Sequence, residues 1–528
     1  MGMLPYLTET PNPSKKYNVT FRGLNMGEGA QDGEFSETYN LSSDKYPCIT
    51  QRAERVECGT YENPNTIHNK EGLLVIHGTK VLYKAKDSSS WDEVGSVTEG
   101  KKQTATIGDY IVIFPDKKYI NVSDKSIKVK DMEISYTATG LKFTNDSISI
   151  EKEEGEFEFR DGDGVEITGC SESSNNKEAI TIRGISPDKK KLTFYENSFT
   201  EKTESEKEVT IKRTIPELEF ICESNYRLWG TGKGEHKNTI FSSKYSDPLN
   251  FLSKDVIADD SYFIEVGSEG PFTGCIPYSS HICFFKENVV HKLYGTKPSN
   301  FQIATANVYG VQKGCERSMH VVNEQLLYKG VDGIYSYTGG IPDLISEKFG
   351  TKRFSDAVAT CDGKRYYVSM KDGNEAWNLF VYDIAKNLWL REDDTEAVDM
   401  TFYDGKVYVL DGDGVLFYID QDADRSNIEW SATFCTMHET INERKVYSKF
   451  HLRMDLWAGS WVAVDVKTDN DTEWKQVYLT HNYNEAGAKV VTVPILPTRC
   501  DSIDIRLRGK GQCTIKTFVR EFTTGSDV

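Results

Sequence analysis

The chain has 528 residues, too many for one core, and at roughly 100–200 residues per domain about three domains are expected. It is 38% hydrophobic and 12% aromatic, with 28 Tyr and 25 Phe, which suits buried sheets and leaves disorder expected only locally. The net charge of −18 opposes sequence-reading of nucleic acid, which needs basic faces against phosphates, but an acidic wall would let a polyanion pass without sticking.

The N-terminal stretch MGMLPYLTETPNPSKKYNV has neither the basic region nor the apolar stretch of a signal peptide. Gly2 is not followed by the Ser or Thr at position 6 that myristoylation wants, because Tyr6 stands there. No apolar run approaches the ~20 residues of a membrane helix, so no membrane segment is expected and the chain is expected to fold in a cytosol. Residues 1–60 are rich in Gly, Asn and Ser and read as an extended arm that wraps the body and closes it with a strand.

From residue 61 one short unit returns repeatedly: an apolar strand, a polar Asp, Asn or Gly turn, and a second strand rich in Tyr, Phe and Val. Examples are LLVIHGTKVLYKAK from Leu73, IGDYIVIFPDKKYINV from Ile107, HICFFKENVVHKLYG from His281 and DMTFYDGKVYVLDGDGVLFYID from Asp399. The spacing is that of a four-stranded blade and predicts a β-propeller in two parts, 61–137 and 216–424. Between them, 138–215 is strongly charged with short alternating strands near 165–167, 179–185 and 192–195, an inserted small β-barrel. Residues 425–528 alternate without the blade pattern, as a C-terminal antiparallel β-sandwich of jelly-roll type. The fold class is all-β, with no long helix.

Eleven scattered cysteines without a CxxC argue against a disulfide framework or a zinc site. Asp161-Gly-Asp163-Gly, Asp411-Gly-Asp413-Gly and Asp469-Asn-Asp471 have carboxylates at alternate positions that suit calcium, yet they equally supply hairpin turns, the preferred reading. The run from Asp420 fails as an EF-hand at Arg425 and Ser431. Lys233 and His236 in LWGTGKGEHKNT have the flavour of a phosphate loop without its spacing, leaving a turn that could touch an anion. Histidines show no HxH or HExxH, and no GxSxG elbow occurs. No cofactor, no metal and no catalytic residue are expected. Trp229 and Trp389 read as wedges between blades. Trp457 and Trp461 read as packing residues before they read as a sugar platform.

The layout FRGLN…DGEFSETYNLSSDKYPCITQR, GDGVEITG…NNKEAITI and NYRLWGTGKGEHKNTIFSSKYSDPLNF, followed by the blades from Gly270 and Gly314, resembles phage tail structural proteins of the tail nozzle, tail tubular protein B or tail stabilisation type. The likeness spans about 20–425. Its most family-like phrases are Arg227-Leu-Trp229-Gly230 and Tyr245-Ser246-Asp247-Pro248. The resemblance implies a virion protein of the tail, assembled in the host cytoplasm, that forms a ring with copies of itself, expected to be a hexamer. That ring would meet the portal, adaptor or other tail proteins, carry tail fibres, and extend the channel through which genomic DNA passes without sequence-specific binding. The alternatives are a tail adhesin recognising host surface glycan and a propeller-type glycan-degrading enzyme.

Overall fold

The computed structural model of the chain describes residues 13–151, 155–252, 259–420, 422–439, 443–469, 471–482 and 487–524. Gly2, Tyr6, Gln421 and Asn470 lie outside the described residues. Among those described, the chain is all-β: many small antiparallel sheets and a few 3-10 turns, with no α-helix. Among the described residues, no helix is long and apolar enough to cross a membrane.

The chain divides into two compact units, a middle one (61–331 with 336–342) and a terminal one (1–60, 332–335 and 343–528). The middle unit carries four consecutive four-stranded sheets, spanning 64–96, 103–131, 218–265 and 274–307. Each is a meander whose strands follow chain order. Two-residue turns set the register: Gly108-Asp109 between Gln103–Ile107 and Tyr110–Phe114, and Asn225-Tyr226 between Leu218–Ser224 and Arg227–Gly232. The inner strands are apolar on both faces, as in Leu73, Leu74, Val75 and Ile76, each at most 6% exposed. A strand covered on both sides reads as a continuous hydrophobic run, which is why periodicity 2 fades there. First strands of successive sheets approach within 8 Å, Cα to Cα, from Gln103–Ile107 to Leu218–Ser224 and on to Gly274–Tyr278. A further four-stranded sheet, His320–Val322, Gln325–Lys329, Ile334–Tyr337 and Asp343–Leu344, has residues in both units.

Between the second and third sheets lies an eight-stranded antiparallel sheet, Ile134–Ala138 through Val209–Arg213. It encloses its own core of Leu141, Phe143, Ile148, Val165, Ile167, Ile182, Leu192, Phe194 and Ile211. The insertion therefore begins four residues before the expected boundary at 138, because Ile134–Ala138 pairs with Val209–Arg213 and closes the excursion.

The terminal unit holds two more four-stranded sheets, 354–393 and 397–419. The second takes its fourth strand, Arg55–Thr60, from the other end of the chain, antiparallel to Val415–Ile419. The unit also holds a seven-stranded and a five-stranded sheet that share one core. Phe434 of one meets Phe518 of the other at 5.2 Å between ring centroids, and Phe518 meets Phe450 at the same distance. Alternation is plain here: Ile503–Lys510 buries every second residue, the mark of a sheet with one face on the core.

The lead-in, expected as an extended arm that wraps the body, pairs with strands near the other end of the chain. Ser14–Asn18 pairs with Cys513–Thr524, Ile49–Gln51 pairs with the same long strand, and Phe35–Tyr39 pairs with Glu429–Phe434. Four short strands of the lead-in are thus built into the C-terminal sheets, where Phe35, Leu41 and Ile49 enter the core. Phe21 joins the same core and Leu24 is buried as well.

Candidate functional site

Two neighbouring turns of the third sheet, together with the insertion, build the most distinctive surface of the middle unit. In the first turn Asn225 and Tyr226 have φ of 52° and 56°, the left-handed pair of a type I′ hairpin, whose second position ordinarily takes Gly. Tyr there costs roughly 1 kcal/mol, and its ring is 60% exposed. The second turn brings Lys244 opposite Asp247, with Ser246 left-handed at 58°. Ser246 N donates to Tyr226 O at 2.7 Å, locking the two turns together. Tyr226 and Tyr245 meet edge to face, 5.8 Å apart. Strained backbone that persists at an exposed aromatic pair is a pointer to use.

Arg227 supports this pair from below. It is fully buried, its guanidinium 5.9 Å from the Tyr245 ring centroid, and its Nη1 donates to Ser243 O at 2.8 Å and Asp260 O at 2.6 Å. Burial lowers its pKa, against the pull of Asp259 and Asp260.

The insertion supplies the third side. Arg160 Nη2 contacts both carboxylate oxygens of Asp247 at 3.1 Å and reaches Asp163 at 3.2 Å. Burial opposes its charge, but Asp247 and Asp163 outweigh that and raise its pKa. Asp163, 1% exposed, also accepts from Arg213 Nη1 at 2.8 Å and Arg160 N at 2.8 Å. Asn250 Nδ2 donates to Gly162 O at 2.6 Å. The Asp161–Gly164 turn is therefore a docking element: guanidinium groups occupy the place a cation would need. Asp411 accepts from Val415 N, Asp469 from Asp501 N and Ser502 N, and Asp471 from Thr468 N and Lys475. Asp411 and Asp471 cap local turns, Asp469 ties two distant segments, and no group of three or more metal-ligating side chains occurs among the described residues.

The other residues singled out by sequence lie apart. Trp229 is mid-strand and 1% exposed, against Phe301 at 5.1 Å and Phe284 at 6.4 Å of the next sheet. Gly230 is required by packing, since a Cβ there would lie 2.7 Å from Leu218 Cδ1. Trp389 is 1% exposed, stacked on Tyr382 at 4.7 Å with Nε1 donating to Ile345 O at 2.9 Å. Trp457 and Trp461 are half-buried rather than core residues, and each faces a cation: Lys45 Nζ at 4.8 Å and Arg508 at 5.7 Å. Lys233 and His236 are exposed on the short 3-10 turn after Arg227–Gly232. All eleven cysteines are free thiols.

The family-like phrases contain Arg227, Tyr245, Ser246 and Asp247, but Tyr226 and Arg160 are not singled out in the sequence. Tyr226 carried a legible signal, an aromatic where a two-residue hairpin wants Gly. Arg160 carried none, because its partner is 87 residues away.

No protein-family model and no curated protein matches the chain. Among solved structures it is similar to a chain of the mitotic checkpoint complex, at 11% identity over 71% of this chain and 94% of that one, with a TM-score of 0.35. It is also similar to the extracellular domain of a putative one-component system from B. thetaiotaomicron (11% identity, 93% and 78% covered, TM-score 0.28). The phage phi92 endosialidase is similar at 9% identity, with 74% of each chain covered and a TM-score of 0.26. Likeness at this level assigns no function.

Proposed function

We propose that the chain is a structural protein of a bacteriophage tail, of the nozzle or hub type, which assembles with copies of itself into a ring. The observation that carries this reading is an open sheet edge. The strand Gly487–Pro494 pairs on one side with Lys445–Leu456 and ends the seven-stranded sheet. Val490 on it is 71% exposed and Leu496 just beyond is 83% exposed. A long apolar edge with one lysine, Lys489, and a proline only at its end is a template for another chain, and a neighbouring copy would cover it.

In this reading the seven four-stranded sheets are propeller blades, the insertion is a small barrel and the terminal pair of sheets is a jelly-roll-like sandwich. The strand Arg55–Thr60, which completes the last sheet, is the closure such a propeller needs. A side-chain tie joins sheets of that propeller near their first strands. Arg317 donates to Asn65 O at 2.9 Å, Thr66 Oγ1 at 2.7 Å and Lys102 O at 2.8 Å, tying the lead-in to one sheet to the beginnings of two others. In this reading the DNA channel of the assembly runs between copies, along an acidic wall. Negative-stain images of the purified protein test this: closed rings with a central pore support it, and isolated particles without a pore count against it.

One observation favours a second reading. The exposed Tyr226–Tyr245 pair beside Arg160 and Asp247 suits stacking on a sugar ring with polar groups at its rim, as a tail adhesin would require. Saturable glycan binding that is lost in Tyr226→Ala and Tyr245→Ala, without ring formation, would favour the adhesin. Breakdown of a capsule or cell-wall polymer would instead favour the enzyme alternative.

A further inference from the structure

The five-stranded sheet of the terminal unit turns one face to the core through Val462, Val464, Val466, Ile505 and Leu507. Alternation along the strands sets Asp465, Arg506 and Arg508 together on the opposite face, where Trp461–Thr468 pairs with Ile503–Lys510 and Asp465 lies across from Arg506. The Asp465 side chain is 1% exposed, against 28% for Arg506 and 34% for Arg508. Arg506 donates to Asp465 Oδ2 from Nε at 3.0 Å and from Nη2 at 2.7 Å. Arg508 reaches the same oxygen from Nε at 2.7 Å, and its Nη2 donates to Asp465 Oδ1 at 3.3 Å and to Gln476 Oε1 at 2.7 Å.

One guanidinium balances the charge of a buried carboxylate, and this carboxylate has two. The pair therefore carries surplus positive charge in a chain whose net charge is −18. Each arginine commits its Nε–Nη2 edge to Asp465, and neither Nη1 makes a hydrogen bond among the described residues. An aromatic ring stands at each end of the pair. Arg508 lies 5.7 Å from the ring centroid of Trp461, and Arg506 lies 4.5 Å from that of Trp474, which Lys467 Nζ also approaches at 4.7 Å. Both tryptophans are half-buried.

We propose that Trp461, Arg508, Arg506 and Trp474 form a binding stripe for a carboxylate-bearing polysaccharide. The Nη1 groups take the sugar carboxylate, whose two coplanar acceptors suit guanidinium donors held in fixed orientation. The tryptophans take the apolar faces of flanking sugar rings. From the level of Trp461 to that of Lys467 the stripe follows a strand for roughly 20 Å, which suits an oligomer better than a lone small anion. Nucleic acid fits this face less well. A line of phosphates calls for cations repeated along a groove, whereas Asp504 stands on the same face two residues from Arg506. The stripe belongs to a different unit from the Tyr226–Tyr245 pair, and its chemistry does not depend on ring assembly.

The test is calorimetric titration of the intact protein with polygalacturonate, hyaluronate and polysialic acid, with dextran as the neutral control. Saturable binding of at least one carboxylated polymer and none of dextran is expected. Affinity should fall at least ~10-fold in Arg506→Gln and in Arg508→Lys, which keeps the charge but loses the fork. Either change leaves Asp465 one guanidinium, so the Tm should stay near that of the wild type. Should an arginine variant melt early, Trp461→Leu leaves both arginines on Asp465 and is expected to weaken binding several-fold. Absence of binding to all three carboxylated polymers would overturn the proposal. So would binding that Arg508→Lys and Trp461→Leu leave unchanged, or binding lost only in Tyr226→Ala, which would place the sugar on the other unit. Equal affinity for single-stranded DNA would also overturn it, because the face would then be a general polyanion surface.

Discussion

The tetrapeptide Asp-Gly-Asp-Gly occurs twice, at 161–164 in the insertion and at 411–414 in the terminal unit, and the two copies do different work. In the first, Asp163 is buried and shared by Arg213 and Arg160, and the carbonyl of Gly162 receives Asn250. In the second, Asp411 accepts the N–H of Val415 to close a hairpin, and Asp413 stays exposed. The four letters encode a turn in both places, since Asp and Gly tolerate the backbone it needs. The role each turn takes on depends on whether arginines reach it from elsewhere in the chain. Neighbours, not the motif, decide whether a turn is a lock or a loop.

The comparison breaks most visibly under substitution of Asp163. Asp163→Ala leaves the buried Arg213 without its carboxylate, and removing one partner of a buried pair costs about 3–5 kcal/mol. Urea unfolding is expected to show that loss. Adding Arg213→Met should return a good part of it, and a double variant as unstable as the single one would show that the pair is not coupled.

A buried histidine gives the next effect, and it depends on pH. His291 is 2% exposed and lies between Ser268 Oγ at 2.7 Å and Thr305 Oγ1 at 2.9 Å. Burial, aided by Lys286, lowers its pKa to about 4. The unfolded chain therefore binds a proton that the folded chain refuses. The contribution is fully present above about pH 6.5 and is lost as pH falls toward 4, up to roughly 3 kcal/mol. Unfolding measured across that window should steepen with acid in the wild type and flatten in His291→Gln.

Tyr226→Gly sharpens the contrast between a residue kept for the fold and one kept for a surface. Glycine accepts the left-handed turn freely, so stability should hold or rise by about 1 kcal/mol. Any ligand or partner that uses the Tyr226–Tyr245 pair should be lost at the same time. A clear drop in Tm would mean that the ring is a packing element. The smallest change is expected at the second tetrapeptide, where Asp413→Ala should move stability by no more than about 0.5 kcal/mol.

The strand–turn–strand rhythm was legible because the turns are local. Gly108-Asp109 and Asp404-Gly405 each close a two-residue hairpin between strands adjacent in sequence. The destination of the lead-in was not legible, because Ser14–Asn18 pairs with residues about 500 positions away and nothing local specifies that register. The same limit applies to the candidate site. Arg227 and Asp247 stand out in the phrase that contains them, but the Arg160–Asp247 contact forms only when the insertion docks on the third sheet. Residue type alone assigns Trp457 and Trp461 to packing, and their positions near Lys45 and Arg508 arise from strand ends that periodicity does not resolve.

Native mass spectrometry of the wild type beside Val490→Lys is the sharpest test of the proposed assembly through the open edge at Gly487–Pro494. The wild type is expected at the mass of a six-copy ring, and the variant as a monomer with an unchanged Tm. A wild type that stays monomeric at every concentration, or a ring indifferent to Val490→Lys, would contradict it.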